Sequence, residues 1–127
     1  MSGRLIAVVG PSGVGKDSVM SGIAAACPAI GVVRRTITRP ADLGGEAFDA
    51  VSDETFETMR AAGAFCLSWS AHGLSYGLPI ALAARVAAGG EVLANLSRGV
   101  LAEAAAAFPG LIVLELTASP DILARRL

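Results

Sequence analysis

The stretch GPSGVGKDS, residues 10–18, decides the fold, because it follows the phosphate-binding loop pattern GxxxxGK[ST] up to its last position. Gly10, Gly13 and Gly15 permit backbone angles at which successive N–H groups converge on a phosphate. Lys16 adds a mobile positive charge that can reach the terminal phosphates of a nucleoside triphosphate. The stretch therefore predicts a nucleotide phosphate site.

Asp17 stands where the loop pattern has serine or threonine, and it allows two interpretations. Its carboxylate could hold a magnesium ion, directly or through water, with the hydroxyl of Ser18 as a further ligand. Alternatively, Asp17 only complements the dipole of the following helix, a contribution of about 0.3–1 kcal/mol. We favour the metal interpretation, and the second stays open.

The segments around the loop predict an α/β fold with a parallel sheet. LIAVV, residues 5–9, is a short apolar run typical of a buried strand, and residues 18–26 have a helical spacing of apolar side chains. Strand and helix then alternate in the last part of the chain. The predicted elements there are a helix at 79–89, the strand EVLANL at 91–96, a helix at 98–107, the strand LIVLEL at 111–116 and a helix with Ser119 as N-cap and Pro120 at its first position.

Residues 34–78 interrupt this alternation and are richer in Arg, Thr, Gly and aromatic residues. They contain one short predicted helix near DETFETMRAAG, residues 53–63, with Asp53 as its cap. Such an insertion is a natural place for an acceptor-binding subdomain, that is, one that binds the molecule to which a phosphate of the nucleotide would be transferred. We therefore expect one domain over 1–127, with a core of 1–33 and 79–127 and an acceptor-binding insertion of about 34–78.

The composition argues against several classes of partner. The 127-residue chain has a formal net charge of -1, so no basic field indicates nucleic acid or membrane. No apolar run approaches the 18 residues of a membrane span, and the N-terminus enters the first strand directly, leaving no room for a signal peptide. We expect a cytoplasmic protein in which Cys27 and Cys66 are reduced and buried. His72 is the single histidine, which argues against a catalytic triad or a multi-histidine metal site.

The order of the motifs resembles the guanylate kinase superfamily over essentially the whole chain. After the loop come RRTITRP at 34–40, DETFETMRAAGAF at 53–65, HGLSYG at 72–77 and LELTASPDILARRL at 114–127. Within that superfamily, the chain is similar to the ribose 1,5-bisphosphate phosphokinases of bacterial phosphonate breakdown. The residues that carry this similarity are GKDS, RTITRP, LSW followed by HGLSYG, and NLSR at 95–98.

This resemblance implies a nucleoside-monophosphate-kinase-like, three-layer fold and a phosphotransfer from ATP, with Mg2+, to ribose 1,5-bisphosphate. The product would be 5-phosphoribosyl 1-diphosphate, and the partner a sugar bisphosphate. The predicted catalytic residues are Lys16 and Arg39, and the metal ligands that we favour are Asp17 and Ser18. The loop pattern predicts the nucleotide-binding residues Gly10, Pro11, Ser12, Gly13, Val14, Gly15, Lys16, Asp17 and Ser18. The implied acceptor-binding residues are Arg35, Arg39, Tyr76, Asn95, Ser97 and Arg98, with Arg34 as an additional cation. Tyr76 could equally be a packing residue, and Trp69 is interpreted as one.

Two alternatives to this function remain open. A guanylate kinase needs acceptors for the guanine N–H groups, but Leu67 and Leu78 stand where that family has a glutamate and a hydroxyl. Each unpaired N–H group would cost about 1–3 kcal/mol. A non-catalytic binding module is the other alternative, although the loop glycines and Lys16 are intact. The chain ends at ARRL, residues 124–127, where the resemblance implies that relatives continue into an arginine-bearing lid, a last strand and a helix, so we expect those parts to be absent.

Overall fold

The computed structural model describes residues 3–11, 15–39 and 48–117, and it arranges them in two sheets and flanking helices. The strands are β1 (Arg4–Val9), β2 (Ile30–Val32), β3 (Arg35–Ile37), β4 (Phe48–Ala50), β5 (Phe65–Ala71), β6 (Leu74–Pro79), β7 (Glu91–Asn95) and β8 (Ile112–Glu115). The helices are α1 (Lys16–Ala26), α2 (Asp53–Ala61), α3 (Ile80–Ala87) and α4 (Leu101–Ala107), with a 3-10 turn at Arg98–Val100 before α4.

The first sheet has the strand order β2-β7-β1-β8, and all of its neighbouring strands are parallel. β1 lies between β7 and β8, so the loop that follows β1 emerges next to the carboxyl ends of both neighbours. Ligands of open parallel sheets bind outside the carboxyl ends of the strands. The predicted α/β fold with a parallel sheet is confirmed, and its topology directs the loop to the edge where ligands bind.

Alternate residues of β1 pack into two separate clusters, which makes the structure three-layered. Leu5, Ala7 and Val9 face the cluster that contains residues of α3 and α4. Val8 faces the opposite side, where it packs with Met20 of α1. Because side chains alternate across a strand, this single strand supplies the core on both faces of the sheet.

The second sheet has the order β4-β3-β6-β5 and is formed by strands between residues 35 and 79. β3 is parallel to β4, whereas β6 is antiparallel to both β3 and β5. Leu67 and Leu78 are a cross-strand pair, and both are buried in the cluster that contains β1, α3 and α4. The second sheet is thereby attached to the core of the first.

Several local expectations need correction. The N-cap of α2 is Ser52, whose Oγ accepts a hydrogen bond of 3.1 Å from the N–H of Thr55, whereas Asp53 is the first helical residue. Both cysteines were expected to be buried. Cys27 is exposed, because it follows the end of α1 at the surface, and Cys66 is only half-buried. Burial raises the pKa of the Cys66 thiol.

Two further expectations concern the ends and the length of helices. The helix expected to begin at Ser119 lies outside the described residues. Within the described part of the chain, no helix has both the length and the apolar character needed to cross a bilayer.

Candidate functional site

A cleft of about 580 Å3 lies between the two sheets, at the carboxyl ends of β1 and β7. β1 is followed by the start of the loop, and β7 ends at Asn95, so both strands deliver their next residues to the cleft. β3 and β6 of the second sheet supply the facing wall. The described lining residues are Gly10, Pro11, Lys16, Arg35, Arg39, His72, Tyr76, Asn95, Leu96, Ser97 and Arg98.

The loop end of the cleft is formed by the residues around the start of α1. Gly15 is the N-cap of this helix with φ 91°, a left-handed conformation that glycine adopts without steric cost. Lys16 begins the helix, and its Nζ donates a hydrogen bond of 2.9 Å to the carbonyl oxygen of Gly10. The positive end of α1 and the Lys16 ammonium therefore lie together at one end of the cleft.

Some of the predicted nucleotide-binding residues lie outside the described structure. Ser12, Gly13 and Val14 are outside the described residues. The backbone of Asp17 belongs to the first turn of α1, but its side chain is likewise outside the described structure. Ser18 is exposed in the same turn and is not among the described residues that line the cleft.

The wall of the cleft that faces the loop contains two arginines whose guanidinium groups are held by neighbouring residues. Arg35 is buried, its Nη1 donates a 3.2 Å hydrogen bond to the carbonyl oxygen of Asn95, and its Cζ lies 5.2 Å from the ring centroid of Tyr76. The Cζ of Arg39 lies 4.5 Å from the ring centroid of Phe48. These cation–π contacts orient planar donor groups that suit phosphate oxygens.

Trp69 supports this wall from the adjoining strand. Its ring is stacked on Tyr76, with the centroids 5.3 Å apart and the planes 8° from parallel. Its Nε1 donates a 3.1 Å hydrogen bond to Ser97 Oγ, across the gap between β5 and the segment after β7. Trp69 was expected only to pack, but it also fixes the position of a hydroxyl that lines the cleft.

The charge of the described lining is one-sided. Four of its residues are lysine or arginine and none is acidic: Lys16, Arg35, Arg39 and Arg98. Arg98 is exposed at the rim and forms an ion pair with Glu115, which ends β8. Anionic ligands are attracted to such a concave positive surface.

The structure thus brings together most of the predicted donor and acceptor residues and leaves others apart. Arg34 does not belong to the described lining, because its Nε donates to Asp49 Oδ1 at 2.6 Å on the exposed side of the second sheet. Sequence reasoning missed His72 and Leu96 as lining residues. His72 could have been found, since it belongs to the HGLSYG motif that also supplied Tyr76.

Comparison with known proteins identifies relatives of nearly the whole chain, although no protein-family model matches it. A ribose 1,5-bisphosphate phosphokinase of Ruegeria sp. is 48% identical over 125 residues, which cover 98% of this chain and 66% of that protein. A protein of the same name from Pseudomonas fluorescens is 49% identical over 132 residues, covering 100% of this chain and 68% of that protein.

Among solved structures, guanylate kinase from Anaplasma phagocytophilum matches with a TM-score of 0.77 and 19% identity, over 98% of this chain and 65% of that one. This likeness confirms the predicted guanylate kinase-like fold. The chain spans about two thirds of the length of these proteins. Because the chain is 48% and 49% identical to these two relatives over nearly its whole length, it belongs to the ribose 1,5-bisphosphate phosphokinase family.

Proposed function

We propose that this protein transfers the terminal phosphate of ATP to the 1-phosphate of ribose 1,5-bisphosphate, forming 5-phosphoribosyl 1-diphosphate and ADP. The observation that carries the proposal is the cleft that Lys16, at the start of α1, shares with Arg35 of β3 and with Arg39 just after β3, with no acidic residue in the described lining. The names of the relatives support this choice of acceptor.

The donor end of the cleft suits a triphosphate. Lys16 Nζ contacts the neutral carbonyl oxygen of Gly10 in this structure. A charged phosphate oxygen is a stronger partner for an ammonium group than a carbonyl oxygen. We therefore expect Lys16 to turn from Gly10 to the terminal phosphates when ATP binds, together with the N–H groups of the loop and of the first turn of α1.

The acceptor end suits a small ligand that carries phosphates and no base. We propose that residues 34–78 serve as the acceptor-binding insertion, with Arg35, Arg39 and Tyr76 as its phosphate-binding side chains and Asn95, Ser97 and Arg98 as ligands from the core. Arg35 and Arg39 contribute planar, permanently charged donors. The net charge of -1 for the whole chain supports a small-molecule acceptor rather than a nucleic acid.

The chemistry requires alignment and charge neutralisation rather than a general base. An oxygen of the acceptor's 1-phosphate is already anionic at neutral pH, so it can attack the terminal phosphorus of ATP without losing a proton. The new O–P bond forms as the bond between that phosphorus and the bridging oxygen of ADP breaks. Lys16 and Arg39 would neutralise the phosphoryl group in transit, while Arg35 holds the acceptor in line.

A magnesium ion fits the available residues if the nucleotide supplies much of its shell. Magnesium usually keeps several waters and binds one or two protein oxygens in addition to substrate phosphates. In the described part of the chain, no three His, Cys, Asp or Glu side chains lie close enough together to hold a metal ion, so the protein residues described do not form a closed cage for it. We propose Asp17 and Ser18 as the protein ligands. The ion would supply charge neutralisation between the two terminal phosphates of ATP.

A guanylate kinase-like activity is the alternative outcome of the test, and the structure offers it no base-reading group at the expected positions. Leu67 and Leu78 are 7% and 0% exposed, and both pack in the core instead of lining the cleft.

We further propose a cytoplasmic location, where ATP is available.

The test is a coupled assay of ADP formation with ribose 1,5-bisphosphate, GMP and AMP as acceptors, run on the full-length protein. We expect the highest specificity constant for ribose 1,5-bisphosphate and the formation of 5-phosphoribosyl 1-diphosphate. A highest specificity constant for GMP would establish the alternative. ATP binding without turnover of any acceptor would instead indicate a nucleotide-binding module.

A further inference from the structure

His72 occupies a backbone position that an asparagine or glycine would fill more easily. His72 and Gly73 connect β5 to β6 as a two-residue turn, with φ values of 54° and 75°. Positive φ at both central positions is the requirement of a type I′ turn, for which Asn-Gly is the preferred sequence. Histidine is also among the residues enriched at positive φ, so the turn admits His72 without requiring its imidazole. The ring is therefore available for a second role.

The same residue lines the cleft together with Arg35, Arg39 and Tyr76. His72 is exposed, which leaves its ring nitrogens accessible to a ligand. It precedes Tyr76 by four residues, and a strand rises about 3.3 Å per residue, so the turn lies up to about 13 Å from Tyr76 along β6. The hairpin tip therefore extends the acceptor wall beyond the phosphate-binding side chains proposed above.

We propose that His72 is an acceptor-binding residue that contacts the phosphate group of the acceptor that does not react. This inference rests on the proposed function. The reacting phosphate must lie next to Lys16, where the terminal phosphate of ATP is held. The second phosphate of a sugar bisphosphate then points away from the loop, toward the wall that β3, β6 and the hairpin tip form.

The imidazole has the chemistry for this contact. A neutral imidazole donates one N–H and an imidazolium donates two, and either donates well to a phosphate oxygen. An asparagine at the same position keeps the turn, but its shorter side chain does not reach as far. His72 would thus help to distinguish an acceptor with two phosphates from one with a single phosphate, because the latter offers nothing at the hairpin tip.

The test compares ribose 1,5-bisphosphate with ribose 1-phosphate as acceptors for the full-length protein and its variants His72→Asn and His72→Gly. Both substitutions suit the positive φ of residue 72 and remove the imidazole. We expect the ratio of the specificity constants, bisphosphate over monophosphate, to fall about tenfold in both variants, the equivalent of one charge-assisted hydrogen bond. Thermal unfolding of the variants verifies that the turn is intact.

The outcomes separate this inference from the proposed function. An unmutated protein that does not use ribose 1,5-bisphosphate would overturn the proposed function itself. An unmutated protein that uses it, with a ratio that stays within about twofold in both variants, would overturn only the role of His72 and reduce that residue to part of the turn. A fall of the ratio in both variants, with melting temperatures no lower than that of the unmutated protein, supports the inference.

Discussion

The indole Nε1 of Trp69 donates a hydrogen bond of 3.1 Å to Ser97 Oγ, and this bond connects β5 of the second sheet to the segment that follows β7 of the first. Arg35 makes a second connection to the same segment: its Nη1 donates a hydrogen bond to the carbonyl oxygen of Asn95, two residues before Ser97. Both side chains also contact Tyr76: the ring centroid of Trp69 lies 5.3 Å, and the Cζ of Arg35 5.2 Å, from the centroid of the Tyr76 ring. The contacts that join the two sheets are therefore also contacts that shape the cleft.

Replacing Trp69 with phenylalanine should remove the connection to Ser97 and keep an aromatic ring against Tyr76. We expect Trp69→Phe to lower the free energy of unfolding by about 0.5–1.5 kcal/mol, the net value of one hydrogen bond. The measurement is urea denaturation of Trp69→Phe, Ser97→Ala and the double variant. A coupling energy near zero in this cycle would mean that the bond contributes nothing to stability.

Arg34 and Arg35 form a matched pair of neighbouring arginines with different surroundings. Arg35 is buried and lines the cleft, whereas the side chain of Arg34 is 56% exposed and paired with Asp49. We expect Arg35→Gln to raise the KM for the acceptor about tenfold or more, because a charged donor to phosphate is lost. Arg34→Gln should change this KM less than twofold. Steady-state kinetics with saturating ATP measure both, and equal effects would contradict the assignment of Arg35.

Lys16 should be required for nucleotide binding and dispensable for folding. The Lys16 side chain is only half-buried, and its hydrogen bond to the Gly10 carbonyl oxygen is worth about 0.5–1.5 kcal/mol, so we expect Lys16→Ala to leave the protein folded. The affinity for ATP should fall at least tenfold, since the phosphates lose a cation. Calorimetric titration with ATP measures this loss, and Arg60→Gln, which removes an exposed cation paired with Glu57, is the control. Unchanged affinity in Lys16→Ala would contradict the loop assignment.

The sequence was sufficient for β1, β7 and β8 of the first sheet because their signals are local, whereas the three-residue β2 was not predicted. The apolar run of β1, the glycine-rich loop and the helix after it all lie within residues 4–26, so one short pattern predicts all three. β3 and β4 are three residues each, too short for a periodic pattern, and β3 pairs with β6 about forty residues later. No local signal specifies such a pairing, so β3 and β4 could not be predicted.

Residues of the candidate site could be predicted where a sequence motif contains the charged side chains that the chemistry needs. Lys16, Arg35 and Arg39 carry charge in recognisable patterns, and the structure gathers them in one cleft. Trp69 reads as an ordinary packing residue because the partner of its N–H, Ser97, is 28 positions away. The HGLSYG motif could have drawn attention to His72, but the role that we propose for it depends on its backbone angle and on the cleft beside it, and the sequence specifies neither.

Gly77 should not tolerate a side chain, because the backbone of β6 lies against the aromatic ring of Phe65 at this position. A Cβ at Gly77 would lie 2.6 Å from the ring of Phe65, which is itself stacked on Phe56 with centroids 4.8 Å apart. We expect Gly77→Ala to destabilise the protein by about 1–3 kcal/mol through overpacking. Gly22 is the control, since a Cβ there meets nothing within 4 Å and the residue lies inside α1. Gly22→Ala should stabilise by about 0.4–1 kcal/mol in the same denaturation experiment; similar losses at both glycines would refute the packing argument.

Asp17 provides the sharpest test of how magnesium is held. If its carboxylate handles the ion, Asp17→Asn should raise the magnesium concentration needed for half-maximal activity more than it raises the requirement for ATP, because charge is lost while shape is kept. Asp17→Ser restores the usual loop but should rescue only in part, since β7 ends with Asn95 and is followed by Ser97 rather than an aspartate. The helix-dipole interpretation expects a small loss of stability in Asp17→Asn and little change in magnesium dependence. Titration of magnesium at saturating ATP separates the two, and curves that superimpose on that of the unmutated protein would show that Asp17 is structural.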